Sequence, residues 1–154
     1  MTKTQKIIIA FLIVAGSSIA WRVAHSPTTP SAPALSEAES AKMDLIRLDS
    51  PHAGDTIESP LVIKGIARGN WFFEGSFPVI LTDWDGLIIA QHYATAEEPW
   101  MTTDFVPFTA TITFDTPVYK NNGALILKKD NPSDNPKFDD ALEIPIFYGN
   151  AMNQ

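Results

Sequence analysis

The 154-residue chain contains no cysteine, so it forms no disulfide and must hold a domain-sized core by packing alone. Its net charge of −7 deepens to −10 after Arg22, where eight Lys and Arg face eighteen Asp and Glu. Nucleic-acid binding needs a basic face, so no nucleic-acid partner is expected; acidity spread along a chain serves solubility first, and it also attracts divalent cations and repels anionic polymers.

Residues 1–24 set the expected location. Lys3 and Lys6 precede an uncharged apolar run, Ile7 to Trp21, which Arg22 closes. A basic flank before an apolar stretch is delivered to a membrane translocase, with the lysines left on the cytoplasmic side and everything after Arg22 exported. The expected place is the cell membrane, single-pass, with the C-terminal part extracytoplasmic. The run spans roughly 22 Å against a hydrocarbon core of about 30 Å, which leaves two readings open. As an uncleaved anchor it relies on Lys6 and Arg22 snorkelling and on Trp21 at the interface. As a signal peptide it is cut near Ser18-Ile19-Ala20, and the protein is secreted. Residues 25–41, rich in Pro, Ser, Ala and Thr, are too poor in apolar groups to offset chain ordering and read as a disordered tether.

Residues 42–150 read as one β-rich domain. Short β-branched and aromatic runs recur at roughly ten-residue spacing with turn residues between them. They are Asp44 to Ser50, Ser59 to Ala67, Pro78 to Trp84, Leu87 to Thr95, Phe108 to Phe114, Gly123 to Asp130 and Ala141 to Tyr148. Asp85-Gly86 is a strong hairpin signal. Phe108, Ala110, Ile112 and Phe114 fall on one face of their run. Seven such runs with no helix among them predict an antiparallel sandwich; a five-stranded barrel is the competitor. Pro145 predicts an edge position for the last strand, because it lacks a backbone donor.

Several segments, in order, resemble the immunoglobulin-like domain family of bacterial spore-germination and sporulation proteins. They are SPHAGDTIESPLVIKGIARG (Ser50 to Gly69), NWFFEGSFPVILTDWDG (Asn70 to Gly86), WMTTDFVPFTATITF (Trp100 to Phe114), ALILKKDNPSD (Ala124 to Asp134) and LEIPIF (Leu142 to Phe147). The resemblance covers nearly the whole exported domain. It implies an immunoglobulin-like β-sandwich, extracytoplasmic and without catalytic residues. Members often carry a second germination-type domain, for which this chain has no room, so the resemblance implies a generic envelope module more firmly than a role in spores.

The candidate binding residues are Trp71, Phe73, Glu74 and Trp100. If Trp71-Phe72-Phe73-Glu74 were a strand, Trp71 and Phe73 would share a side. Aromatic faces beside a carboxylate suit a sugar or a cationic peptide; the same string also reads as an aromatic plug between sheets. Asp83-Trp84-Asp85-Gly86 resembles the start of a calcium loop but lacks the Glu at the twelfth position, so a hairpin tip is the better reading. The loop Asp130 to Asn135, followed by Asp139 and Asp140, offers oxygen ligands that turn formation already explains.

His25, His52 and His92 do not share metal-ligand spacing. No nucleophile elbow is present, and a carboxylate pair such as Glu74 with Asp83 is the one arrangement that suggests hydrolysis. The expected function is therefore non-catalytic, with no cofactor and no metal: an envelope module that binds a cell-wall polymer or another envelope protein and meets the membrane through its N-terminal helix. Assembly through an exposed edge strand is the alternative, and an extracytoplasmic hydrolase the distant one.

Overall fold

The computed structural model describes residues 36–149. The apolar run Ile7 to Trp21 and most of the expected tether lie outside them, and no helix among the described residues is long and apolar enough to cross a membrane. The described residues open with a short helix, α1 (Glu37–Lys42), followed by β1 (Ile46–Ser50), β2 (Thr56–Ile57), β3 (Leu61–Arg68), β4 (Ser76–Thr82), β5 (Ile88–Ala96), β6 (Phe105–Ile112), β7 (Asn122–Lys128) and β8 (Ala141–Tyr148).

The helix occupies the end of the span expected to be disordered. Its cause is local: the Ser36 hydroxyl accepts from the Glu39 amide at 3.2 Å, and the Glu39 carboxylate accepts from the Ser36 amide at 3.0 Å. This reciprocal capping box satisfies two donors that a helix start would otherwise leave unpaired. Glu37 and Glu39 in the first turn and Lys42 in the last complement the helix dipole. Glu39 is buried and also meets His52 Nδ1 at 3.0 Å, while Lys42 pairs with Asp140. The helix is thus tied to the β1–β2 connection and to the residue preceding β8.

Each expected strand forms, with its ends moved by at most three residues and those of β8 not at all. The sheet, however, is not a pair of separate antiparallel layers. The eight strands among the described residues join in one curled sheet of order β1-β3-β6-β5-β4-β7-β8-β2. The junction is narrow: β5 meets β6 only through Thr95 opposite Thr109 and Ala96 opposite Phe108. The eighth strand is the two-residue β2, parallel to β8, which makes the sheet mixed. Two residues carry no readable period, so the sequence offers no signal for it. The seven expected strands gain this short eighth, and the five-stranded barrel gives way to the curled sheet.

The period-two reading of the core holds along the strands. Phe108, Ala110, Ile112 and Phe114 are buried while Thr111 and Thr113 are exposed. Leu142, Ile144, Ile146 and Tyr148 alternate with exposed Glu143, Pro145 and Phe147. The curl brings non-neighbouring strands face to face. Phe77 of β4 meets the Phe108 ring edge-on at 4.9 Å, and Phe114 meets Tyr148 at 5.4 Å. Pro145 lies opposite Ala124 of β7. Its carbonyl accepts from Gly54, and the next amide on that side, Phe147, donates to Asp55. The missing Pro145 donor therefore points toward the β2 side, where the ladder has not yet begun. Strand β8 is not the edge strand expected, because β2 lies outside it, but β2 is too short to need a donor at Pro145.

Candidate functional site

The four candidate residues gather at one end of the sheet, but not as a strand. Gly69–Trp71 forms a single 3₁₀ turn, and the Phe73 and Ser76 backbones then exchange both hydrogen bonds at 2.9 and 3.1 Å. Between them Glu74 (φ 52°) and Gly75 (φ 78°) are both left-handed. Two consecutive positive φ values make a type I′ hairpin loop, which twists the same way as the strands it joins. The turn decides where the aromatics go. Trp71 is 1% exposed, whereas Phe73, on the turn, is 40% exposed, so the two do not share a face and Trp71 cannot touch a ligand.

The fate of Trp71 is packing. Its carbonyl accepts from Asp130, and its Nε1 is the one buried side-chain polar atom without a partner among the described residues. Phe72 is buried beside it in sequence and meets Phe77 edge-on at 5.2 Å. Trp100 is half-buried and lies against Gly75, where an added Cβ would come within 3.3 Å of the indole. The Ala96 amide donates to the Gly75 carbonyl, which binds the turn to β5. Phe73, Glu74 and Trp100 therefore share one loop end, beside a shallow depression of about 360 Å³ bordered by Asn70, Trp100 and Met101.

The opposite end of β4 carries the Asp83-Trp84-Asp85-Gly86 turn. The Asp83 carboxylate accepts from the Asp85 and Leu87 amides, both at 2.9 Å. It is an intramolecular turn cap, which is the hairpin reading and not a calcium loop. Trp84 is left 40% exposed. Tyr119, from the β6–β7 connection, meets it edge-on at 5.6 Å, and Lys120 Nζ lies 3.7 Å from its ring centroid. Beside this cluster runs a groove of about 380 Å³ whose lining includes Thr82, Asp83, Trp84, Asn122, Glu143 and Pro145. Under it the Tyr148 hydroxyl donates to the Thr82 carbonyl at 2.7 Å, and burial, with Asp83 nearby, pushes that phenol far above its ordinary range.

Sequence reasoning missed Val118, Tyr119 and Lys120. A signal existed, since large apolar residues between Pro117 and Asn121-Asn122 belong to no periodic run, and nothing obliges a loop to carry them.

The remaining chemistry is occupied by structure. Glu74 and Asp83 sit beyond opposite ends of β4, whose seven residues span roughly 20 Å, too far apart to flank one glycosidic bond. The Asn131 carboxamide binds the Asn135 carbonyl, Asp139 and Ser133, so the polar loop after β7 satisfies itself. Of the histidines, His52 binds Glu39 and His92 is exposed on β5, while His25 lies outside the described residues. The described residues contain no group of three metal-ligating side chains.

The sequence model of the immunoglobulin-like domain of bacterial spore germination matches residues 45–136, from just before β1 to just past β7. No curated protein and no solved structure matches the chain. The strand β8 falls outside the matched span, yet it pairs with β7 along its whole length and completes the same core. With three-fifths of its length in that match, including every strand but the last, the chain belongs to the immunoglobulin-like domain family of bacterial spore germination.

Proposed function

We propose that this chain is a non-catalytic, extracytoplasmic module of the bacterial cell envelope that binds a wall polymer or another envelope protein. Family membership supports a non-catalytic immunoglobulin-like module. The observation that carries the binding part is where exposed aromatics sit: Phe73, Trp84 and Tyr119 project from turns and connections at the ends of a sheet whose interior is filled. Exposed aromatics on loops held by a rigid scaffold are what recognition uses, and core packing does not need them. Export rests on Lys3, Lys6 and the Ile7 to Trp21 run.

Added protease should digest the domain in intact spheroplasts; protection until lysis overturns the topology. Full-length protein that resists alkaline carbonate extraction selects the anchor over a cleaved signal. Sedimentation of the full chain with isolated cell wall, or capture of an envelope protein, tests the binding.

One observation favours the assembly alternative. On its β6 side β5 is paired only at Thr95 and Ala96, so Ile88 to Tyr93 present an open edge. That stretch carries no Lys, Pro, Asp or Glu, the residues that usually guard a bare edge. If the edge takes a partner strand, Gln91→Pro abolishes the association while a variant in the Trp84 turn keeps it; light scattering on both variants separates the two modes.

A further inference from the structure

We propose that the groove beside Trp84 is a subsite for an uncharged sugar chain; the proposal rests on the envelope reading above and names its ligand class. A groove of about 380 Å³ is within the size range of small-ligand clefts. Its two sides differ in chemistry. On one side stands the Trp84 ring; on the other are Glu143 and Pro145 of β8, with Asn122 at the start of β7. A pyranose ring has the matching asymmetry, since its C–H face is apolar and its rim carries hydroxyls. Stacked on the indole, it would bring those hydroxyls to the Glu143 carboxylate and the Asn122 carboxamide.

The site is preorganised. Trp84 is held by the Tyr119 ring edge and by the Lys120 ammonium over one of its faces, so the part of the indole lining the groove is what remains for a ligand. The turn below it is fixed by the Asp83 carboxylate, and the end of β4 is tied to β8 by Tyr148. Little ordering is left to be lost on binding.

Charge selects the ligand. Neither Asp83 nor Glu143 forms an ion pair among the described residues, and the chain after Arg22 carries −10. An anionic polymer or a phosphate backbone would meet repulsion at both carboxylates, which outnumber the one ammonium at the site, that of Lys120 over the indole. An extended peptide would need a continuous apolar trough, and Glu143 interrupts this one on its β8 side.

The test uses the full chain in detergent micelles, with chitotetraose as the neutral probe and a polygalacturonate oligomer as the anionic one, followed by tryptophan fluorescence and calorimetry. Chitotetraose should bind saturably and at least roughly tenfold more tightly than polygalacturonate. Trp84→Ala should lower its affinity about tenfold or more, the scale of a removed aromatic anchor. Glu143→Gln should weaken it severalfold, and Val62→Ala, exposed on β3 and not among the residues lining the groove, should leave it unchanged. Tyr119→Ala, which keeps the indole but loosens it, guards against a Trp84 variant that fails to fold, and should weaken binding with an unaltered melting midpoint.

The proposal falls if chitotetraose shows no saturation at millimolar concentration, if Trp84→Ala and Glu143→Gln bind as the parent does, or if the anionic oligomer binds as tightly. Wild-type protein that still sediments with wall material, equally well with Trp84→Ala, overturns this groove and leaves the envelope reading standing. Wild-type protein that sediments with no wall preparation and captures no envelope protein removes both.

Discussion

Trp71 and Trp84 sit beyond opposite ends of the same strand, β4, each next to a tight turn, and they meet opposite fates. Trp71 is 1% exposed and Trp84 is 40% exposed. The difference comes from the turns. Glu74 and Gly75 form a two-residue loop with both φ values positive, and the 3₁₀ turn before it carries Trp71 back under the sheet. At the other end Asp83 caps its own turn through two amides, and the intervening Trp84 is left outside, where Tyr119 and Lys120 cover part of it. An aromatic residue near a turn is not informative by itself; the backbone hydrogen bonds of the turn decide whether it fills the core or faces a ligand.

The comparison is broken or sharpened by substitutions at both ends. Trp71→Ala should cost about 3–5 kcal/mol of stability, the range for a large aromatic removed from a core, read from urea unfolding. Trp71→Phe should cost clearly less, because it keeps much of the packing and deletes an indole N–H that has no partner. If Trp71→Ala leaves the unfolding midpoint alone, the burial of this end is wrong. Ile112→Ala should cost about 2–5 kcal/mol, since Ile112 is 2% exposed in β6. Thr111→Ala, its exposed neighbour, should stay within about 0.5 kcal/mol. Equal losses at the two positions would mean that both faces of β6 are covered.

A smaller effect is expected where α1 docks. Ser36→Ala removes the N-cap and should cost about 1 kcal/mol. The Glu39 carboxyl adds a pH dependence. Burial raises its pKa, but the Ser36 amide and hydroxyl and the His52 ring outweigh burial and hold it below its ordinary value of 4.5. A carboxyl depressed in the folded state stabilises above its unfolded pKa, and that contribution is lost as pH falls through the folded one. Unfolding midpoints should therefore drop on acidification below about pH 4.5, and Glu39→Gln should flatten that part of the profile. An unchanged profile would mean the carboxylate is not held by these partners. Trp84→Ala should cost about 1 kcal/mol or less, as expected for a partly exposed edge-on contact and cation–π pair. A loss as large as that of Trp71→Ala would place Trp84 among the structural residues and erase the contrast between the two ends.

Local pattern decided much of this molecule. Alternation placed Phe108, Ala110, Ile112 and Phe114 in the core and Asp85-Gly86 marked the β4–β5 hairpin, whereas the edge position that Pro145 suggested for β8 is taken by the two-residue β2. The capping box of α1 was equally legible, because Ser36 and Glu39 stand at the required spacing, but the Pro- and Ser-rich composition around it pointed to a tether. The family was legible too, in the ordered string from Ser50 to Asp134. These features depend on residues within a few positions of one another, or on a period, and both are written in sequence.

Tertiary structure alone decided the rest. That the sheet is continuous depends on the end of β5 reaching β6 at two residue pairs, and that β2 exists depends on β8 lying beside it; neither contact has a local cause. The removal of Trp71 from the candidate ligand surface followed from a turn whose handedness places side chains that a strand reading puts together. Tyr119 and Lys120 meet Trp84 although 35 residues separate Trp84 from Tyr119, and Glu143 and Asn122 join them only because β7 is paired with both β4 and β8. A surface site assembled from three strands and two connections has no period and no fixed spacing, so only the packed sheet brings its residues together.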